Sequence, residues 1–261
     1  MKYGCCTTMQ YYEDLERLGY DYIELQGGQV VKWEESELTE AAQRLKAGRV
    51  KCNGFNAAIL PEIKIAGPEY SPDATRAYAK ELCRRGGLLG IRSIGIGSPN
   101  SRKLPEGYSH AQAWDEAEEF LRIFAAEAEP YGITLLWEAL NHTECNFGLS
   151  MVEGAIRMRR LGLKNLALVC DLYHMALQGE GLEELLSVLP QVRHIHVAQR
   201  VGQARCYPRR ENLEEYAALL IPAIQGGYDG IIATEAFSGD VVQGAEQAIA
   251  IFREIVARAG R

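Results

Sequence analysis

Leu166-Ala167-Leu168-Val169-Cys170-Asp171 is the stretch on which the fold turns: five uncharged residues without polar alternation, closed by one carboxylate. A strand with one wet face alternates apolar and polar residues. An unbroken run reads instead as a strand covered on both faces, as in a parallel sheet. Outward from this run the same pattern recurs, giving strands at 2–6, 20–25, 50–57, 91–97, 133–140, 166–172, 192–198 and 230–236. Stretches with helical period lie between them, at 8–18, 37–47, 73–85, 111–129, 151–161, 182–189, 213–225 and 241–259. Ser71-Pro72-Asp73 opens the third helix and Ser150 caps the fifth. Gly19, Gly48 and Gly226 follow helix ends, where a left-handed backbone is cheap for glycine.

Strands and helices in strict alternation fit a closed (β/α)8 barrel or an open doubly wound sheet. The 261 residues match one α/β TIM barrel, whose usual size is about 250 residues. No Pro/Gly/Ser-rich linker divides the chain, so one barrel domain over 1–261 is expected. Gly95-Ile96-Gly97 follows a strand but lacks the third glycine of a dinucleotide fingerprint.

Composition narrows the function. The chain is 47% hydrophobic and 24% charged, which excludes disordered and fibrous classes. Its net charge of -7 disfavours a phosphate backbone as partner, so nucleic acid is not expected. No apolar run reaches the roughly 18 residues of a membrane span, and MKYGCCTTMQ lacks the apolar core of a signal peptide. Seven dispersed cysteines without a zinc-type CxxC read as reduced thiols, which points to a cytoplasmic location.

Four apolar runs each carry one ionisable residue near the C-terminal end: Glu138 in ITLLWEAL, Asp171 in LALVCD, His196 in HIHVA and Glu235 in IIATEAF. A charge inside a barrel strand is costly unless it is paired, neutralised or metal-bound. In barrel enzymes the C-terminal strand ends are where catalytic groups gather. One such residue would ordinarily be a salt-bridge partner just past its strand. Four on consecutive strands converge on one side of the mouth. Three carboxylates and one imidazole suit a hard divalent ion, Mn²⁺ first, with Mg²⁺, Co²⁺ and Zn²⁺ as alternatives.

The sequence around these residues resembles the sugar isomerase/epimerase group of xylose isomerase-like barrels, closest to ketose 3-epimerases and hydroxypyruvate isomerases. The motifs are Trp137-Glu138-Ala139-Leu140-Asn141-His142-Thr143-Glu144, Asp171-Leu172-Tyr173-His174-Met175, His194-Ile195-His196-Val197-Ala198 and Thr234-Glu235. Gly97-Ser98-Pro99, with Arg102 downstream, is similar to that group's strand-four loop. The resemblance implies that Glu138, Asp171, His196 and Glu235 bind the metal. It also implies that Glu138 and Glu235 form the acid/base pair, moving a proton beside a ketose or hydroxy-ketone carbonyl through a metal-bound enediolate. Glu144, His174 and Arg205 are the implied substrate-binding residues. A homo-oligomer is the implied assembly.

Two departures stand out. Ala139 replaces the usual proline, and Gln199 stands where an acid is common, which removes one way of orienting His196. Asn141 is expected to order its loop through the backbone. Glu24 in DYIEL is expected either at the pocket floor or in a salt bridge, and Asn56 at the mouth. Cys5, Cys6 and Cys170 read as small core residues, and Tyr11, Tyr12, Tyr207 and Trp33 as candidates for an apolar wall. A dehydratase acting on a keto-inositol would begin with the same proton abstraction. An endonuclease IV-like repair enzyme shares the barrel but needs several histidines for its metals, and only five are present.

Overall fold

Strands β1 (Lys2–Cys6), β2 (Tyr22–Gln26), β3 (Lys51–Asn56), β4 (Ser93–Ile96), β5 (Thr134–Glu138), β6 (Leu166–Asp171) and β7 (Val192–Val197) pair in parallel around the barrel. A short antiparallel hairpin, β8 (Gln199–Val201) and β9 (Ala204–Cys206), follows β7 directly. The last barrel strand, β10 (Ile231–Thr234), lies between β7 and β1 and closes the ring. The structure is a computed structural model, describing residues 1–202 and 204–261. It bears out the (β/α)8 TIM barrel and rules out the open doubly wound sheet.

Helices cover the outside of the ring. They are α1 (Tyr12–Leu18), α2 (Gly27–Val30), α3 (Glu35–Ala47), α4 (Pro72–Leu89), α5 (Pro99–Arg102) and α6 (His110–Ala128). The second half of the chain adds α7 (Met151–Leu161), α8 (Leu172–Gln178), α9 (Leu182–Val188), α10 (Leu213–Gln225) and α11 (Val241–Arg258). The Ser71 hydroxyl accepts from Ala74 N at 3.3 Å and that of Ser150 from Glu153 N at 3.2 Å, so both caps form. Gly19 is left-handed, with φ 86°. Gly48 and Gly226 are not, with φ -82° and -75°. Gly48 serves packing instead, because a Cβ there would lie 1.9 Å from the Tyr12 hydroxyl. No helix among the described residues is long and apolar enough to cross a membrane.

The strands are buried on both faces, and the two faces differ. Leu135 and Trp137 of β5 join the main hydrophobic core, and Trp137 packs 5.3 Å from Trp114 of α6. Leu136, Ala167 and Val169 form a separate apolar cluster, one pleat below Glu138 and Asp171. Side chains alternate across a strand. On β5 and β6 the inward face is therefore apolar lower in the barrel and acidic at the C-terminal ends, which positions the site. Register continues the row: Asp171 is level with His196, and His196 with Ala233.

Candidate active site

Glu138, Asp171, His196 and Glu235 converge at the C-terminal mouth, all buried, with one potential ligand atom from each within 4.8 Å of every other. Glu138 Oε1 and His196 Nδ1 have no hydrogen-bond partner although both atoms are buried. Buried polar atoms are normally satisfied, so two orphans among four converging side chains are what a group able to hold a cation would leave open. The donor set, oxygen-rich with one imidazole, suits a hard divalent ion. Local structure makes room for it. A Cβ at Gly97, just past β4, would lie 2.1 Å from Glu138 Oε2.

Three of the four side chains are held from behind. Asn56, at the end of β3, donates through Nδ2 to Glu235 Oε1 at 2.6 Å. Asp171 caps α8, its Oδ1 accepting from Tyr173 N at 2.8 Å and His174 N at 3.4 Å. This short helix was not foreseen, because a seven-residue segment directly after a strand carries no clear period. Glu24 is a pocket-floor residue and a salt-bridge partner together: Oε2 accepts from His196 Nε2 at 3.1 Å, and Oε1 lies 2.7 Å from His194 Nε2. Gln199 instead accepts from the Tyr216 hydroxyl.

The predicted substrate-binding residues lie around the cluster. His174 Nε2 is 3.7 Å from Glu138 Oε1, and its Nδ1 is 2.7 Å from Asn141 Nδ2. That amide group also reaches Glu144 Oε1 at 3.0 Å, so Asn141 joins Glu144 to His174. Its Oδ1 accepts from Thr143 N at 2.9 Å, ordering the loop as expected. Arg205 comes from β9, an element too short and polar to be read from sequence. Its Nη2 donates to Asp171 Oδ2 and, at 2.6 Å, to Glu235 Oε2. Tyr12 takes no part in the mouth, since its hydroxyl donates to Val50 O, just before β3. His110 and His142 lie outside the ligand cluster, the latter contacting Gln178 on the surface. All seven cysteines are free thiols and only Cys206 is not buried.

Electrostatics separate the carboxylates. Burial, and after it the charges of Glu235 and Asp171, push the Glu138 carboxyl up to about 8. Burial acts the same way on Glu235, but Arg205 and then His196 outweigh it and hold that carboxyl well below its usual range. Burial favours a neutral His196, whereas the charge of Glu235 overrides this and raises its pKa. Burial lowers the pKa of His174. Carboxylates pushed apart in this way are a recurrent mark of proton-transfer sites.

A family model described as "Xylose isomerase-like TIM barrel" matches residues 12–255. A Streptomyces coelicolor protein named as a hydroxypyruvate isomerase is 30% identical over 221 residues, covering 79% of this chain and 76% of its own. The structure of an L-ribulose 3-epimerase superposes with TM-score 0.82 at 15% identity, covering 100% of this chain and 96% of the other. That of the IolI protein with a bound zinc atom superposes with TM-score 0.79 at 16% identity, covering 99% of both. The chain belongs to the xylose isomerase-like TIM-barrel family, and the proteins it resembles include one named as an isomerase and one as an epimerase.

Proposed function

We propose that this family member is a divalent-metal-dependent isomerase or epimerase that moves a proton beside the carbonyl of a ketose or small hydroxy-ketone. The observation that carries this reading is the convergence of Glu138, Asp171, His196 and Glu235, with Glu138 Oε1 and His196 Nδ1 unsatisfied. These four residues would hold the ion, Mn²⁺ being the proposed species. When bound, a divalent ion polarises a carbonyl and acidifies the neighbouring C–H.

The protein's own part is proton handling and orientation. Glu138 and Glu235 are the acid/base pair: one carboxylate takes the proton and the other returns it. Asn56 fixes Glu235 through one oxygen. His174, neutral through burial, presents Nε2 toward Glu138 and can meet a substrate oxygen. Arg205 brings a charged, multi-donor group that can leave its carboxylate partners for substrate oxygens. Glu144 orders this side of the mouth through Asn141.

The test is a panel of ketoses and hydroxypyruvate, assayed with Mn²⁺ in deuterated water. Deuterium should enter the carbon next to the carbonyl, at unchanged substrate mass apart from the label. Glu138→Gln and Glu235→Gln should each abolish incorporation while keeping the fold. Full activity in both variants overturns the acid/base assignment. Loss of water from the product overturns the isomerase reading in favour of a dehydratase.

A further inference from the structure

We propose that Glu24 is a positioning residue for His196: its carboxylate fixes which imidazole nitrogen carries the proton, and thereby sets how tightly the site holds a divalent cation. The inference rests on the metal-dependent reading above.

The geometry is specific. His196 Nε2 donates to Glu24 Oε2 at 3.1 Å. An imidazole that ligates a cation must be neutral, with a single N–H, so holding that N–H on Nε2 leaves Nδ1 with its lone pair for the ion. That atom faces Glu235, 3.0 Å from Oε2, and has no hydrogen-bond partner. The ring is thus turned with its acceptor toward the ligand cluster and its donor toward Glu24. Carboxylate–histidine pairs of this kind fix both tautomer and ring plane of a metal ligand.

The barrel is built to keep a carboxylate there. Glu24 is 3% exposed, inside the ring, where an isolated carboxylate is costly. His194, two residues before His196 and on the same face of β7, lies 2.7 Å from its other oxygen. The thiol of Cys6 adds a weak donor to Oε2 at 3.6 Å. Gly4 leaves space, since a Cβ there would lie 3.1 Å from Glu24 Oε1 and 3.0 Å from the Ala233 Cβ. Four residues from β1 and β7 therefore converge on this carboxylate. The position after β7 that could have oriented His196 holds Gln199, which Tyr216 occupies. Glu24 supplies the same service from the opposite side of the ring.

The experiment titrates metal-stripped wild type, Glu24→Gln and Glu24→Asp with Zn²⁺ and Mn²⁺ by calorimetry. Folding is checked by circular dichroism. Glu24→Asp, which only retracts the carboxylate, keeps the test usable if the glutamine variant fails to fold. Both substitutions should weaken binding, by about 10- to 100-fold for a lost orienting partner. The ¹⁵N spectrum of the Zn²⁺-loaded wild type should show His196 with a hydrogen-bonded Nε2–H, and that signature should shift or vanish in the variants. Folded variants that bind like wild type, or keep the Nε2–H signature, overturn the role of Glu24 alone. A wild type that binds neither ion overturns the metal-dependent reading and this inference with it.

Discussion

Arg205 grips Glu235 at two points: its Nε donates to the backbone carbonyl of Glu235 at 2.7 Å, and its Nη2 to Oε2 at 2.6 Å. The same Nη2 also reaches Asp171. The arginine thus supplies positive charge within the ligand cluster itself. Removing one partner from a buried ion pair costs about 3–5 kcal/mol, because the other charge is left uncompensated. Arg205→Met should therefore melt well below wild type in the presence of a chelator. Mn²⁺ should restore most of the difference, since a cation then faces the same carboxylates. Thermal melts with and without the ion check this. Equal melting of the two proteins under chelation would refute the charge role given to Arg205.

Gly97 gives Glu138 its room. A methyl group there would come within 2.1 Å of Oε2 and must displace the carboxylate, since Gly97 sits on the backbone of a barrel strand end. Misplacing a catalytic group by about 1 Å can cost about 10²-fold in rate. Gly97→Ala should lose that much in kcat once a substrate is in hand, with circular dichroism unchanged. Wild-type turnover in this variant would mean that Glu138 tolerates displacement and has no demanding role.

These two residues show what was legible in the sequence. Glu138, Asp171, His196 and Glu235 stood out because each interrupts an apolar run at the same relative place, a signal that is local. Gly97 was visible in an incomplete nucleotide motif and in a family-like loop, but not as room for Glu138, because that neighbour is 41 positions away. Glu24 and His196, 172 residues apart in sequence, meet only because closure of the ring sets β2 and β7 across the lumen from each other. Arg205 was picked out only by the resemblance, while the structure folds its segment into β8 and β9 and so aims it at the site. Short polar strands have no hydrophobic period from which to be read.

Glu180 offers a pH test outside the site. Its Oε1 accepts from Met151 N at 2.9 Å and Ser150 Oγ at 3.2 Å, at the start of α7. Burial nevertheless raises its pKa above the ordinary 4.5. A carboxyl with a raised folded pKa penalises its charged form, so this group's contribution is most favourable below 4.5. It declines as pH rises through the folded value. Glu180→Gln keeps an acceptor and removes the charge. The variant should melt about 2 °C above wild type at pH 7, a modest gain because the group is partly solvated. The gap should close near pH 4. A variant less stable than wild type at pH 7 would show that the charge strengthens the α7 cap more than burial penalises it.

Arg102 is fully buried, stacked 4.3 Å from the Trp137 ring centroid, and burial lowers its pKa to about 10, leaving it charged at neutral pH. Its Nη2 donates to Glu138 O at 2.5 Å and Ile96 O at 3.3 Å, tying together the ends of β5 and β4. Truncation to alanine strips both carbonyls of their donor and leaves a void beside Trp137. An unsatisfied buried acceptor costs about 1–3 kcal/mol, so Arg102→Ala should lose at least about 2 kcal/mol in urea denaturation. Turnover should fall as well, because the strand end carrying Glu138 loses its tether. The two effects are separable by Arg102→Lys, whose single ammonium can reach one carbonyl but not hold the planar stack on Trp137. Lysine should recover part of the stability and little of the rate. If Arg102→Ala keeps wild-type stability while losing all turnover, Arg102 acts on the substrate directly and the tethering role is wrong.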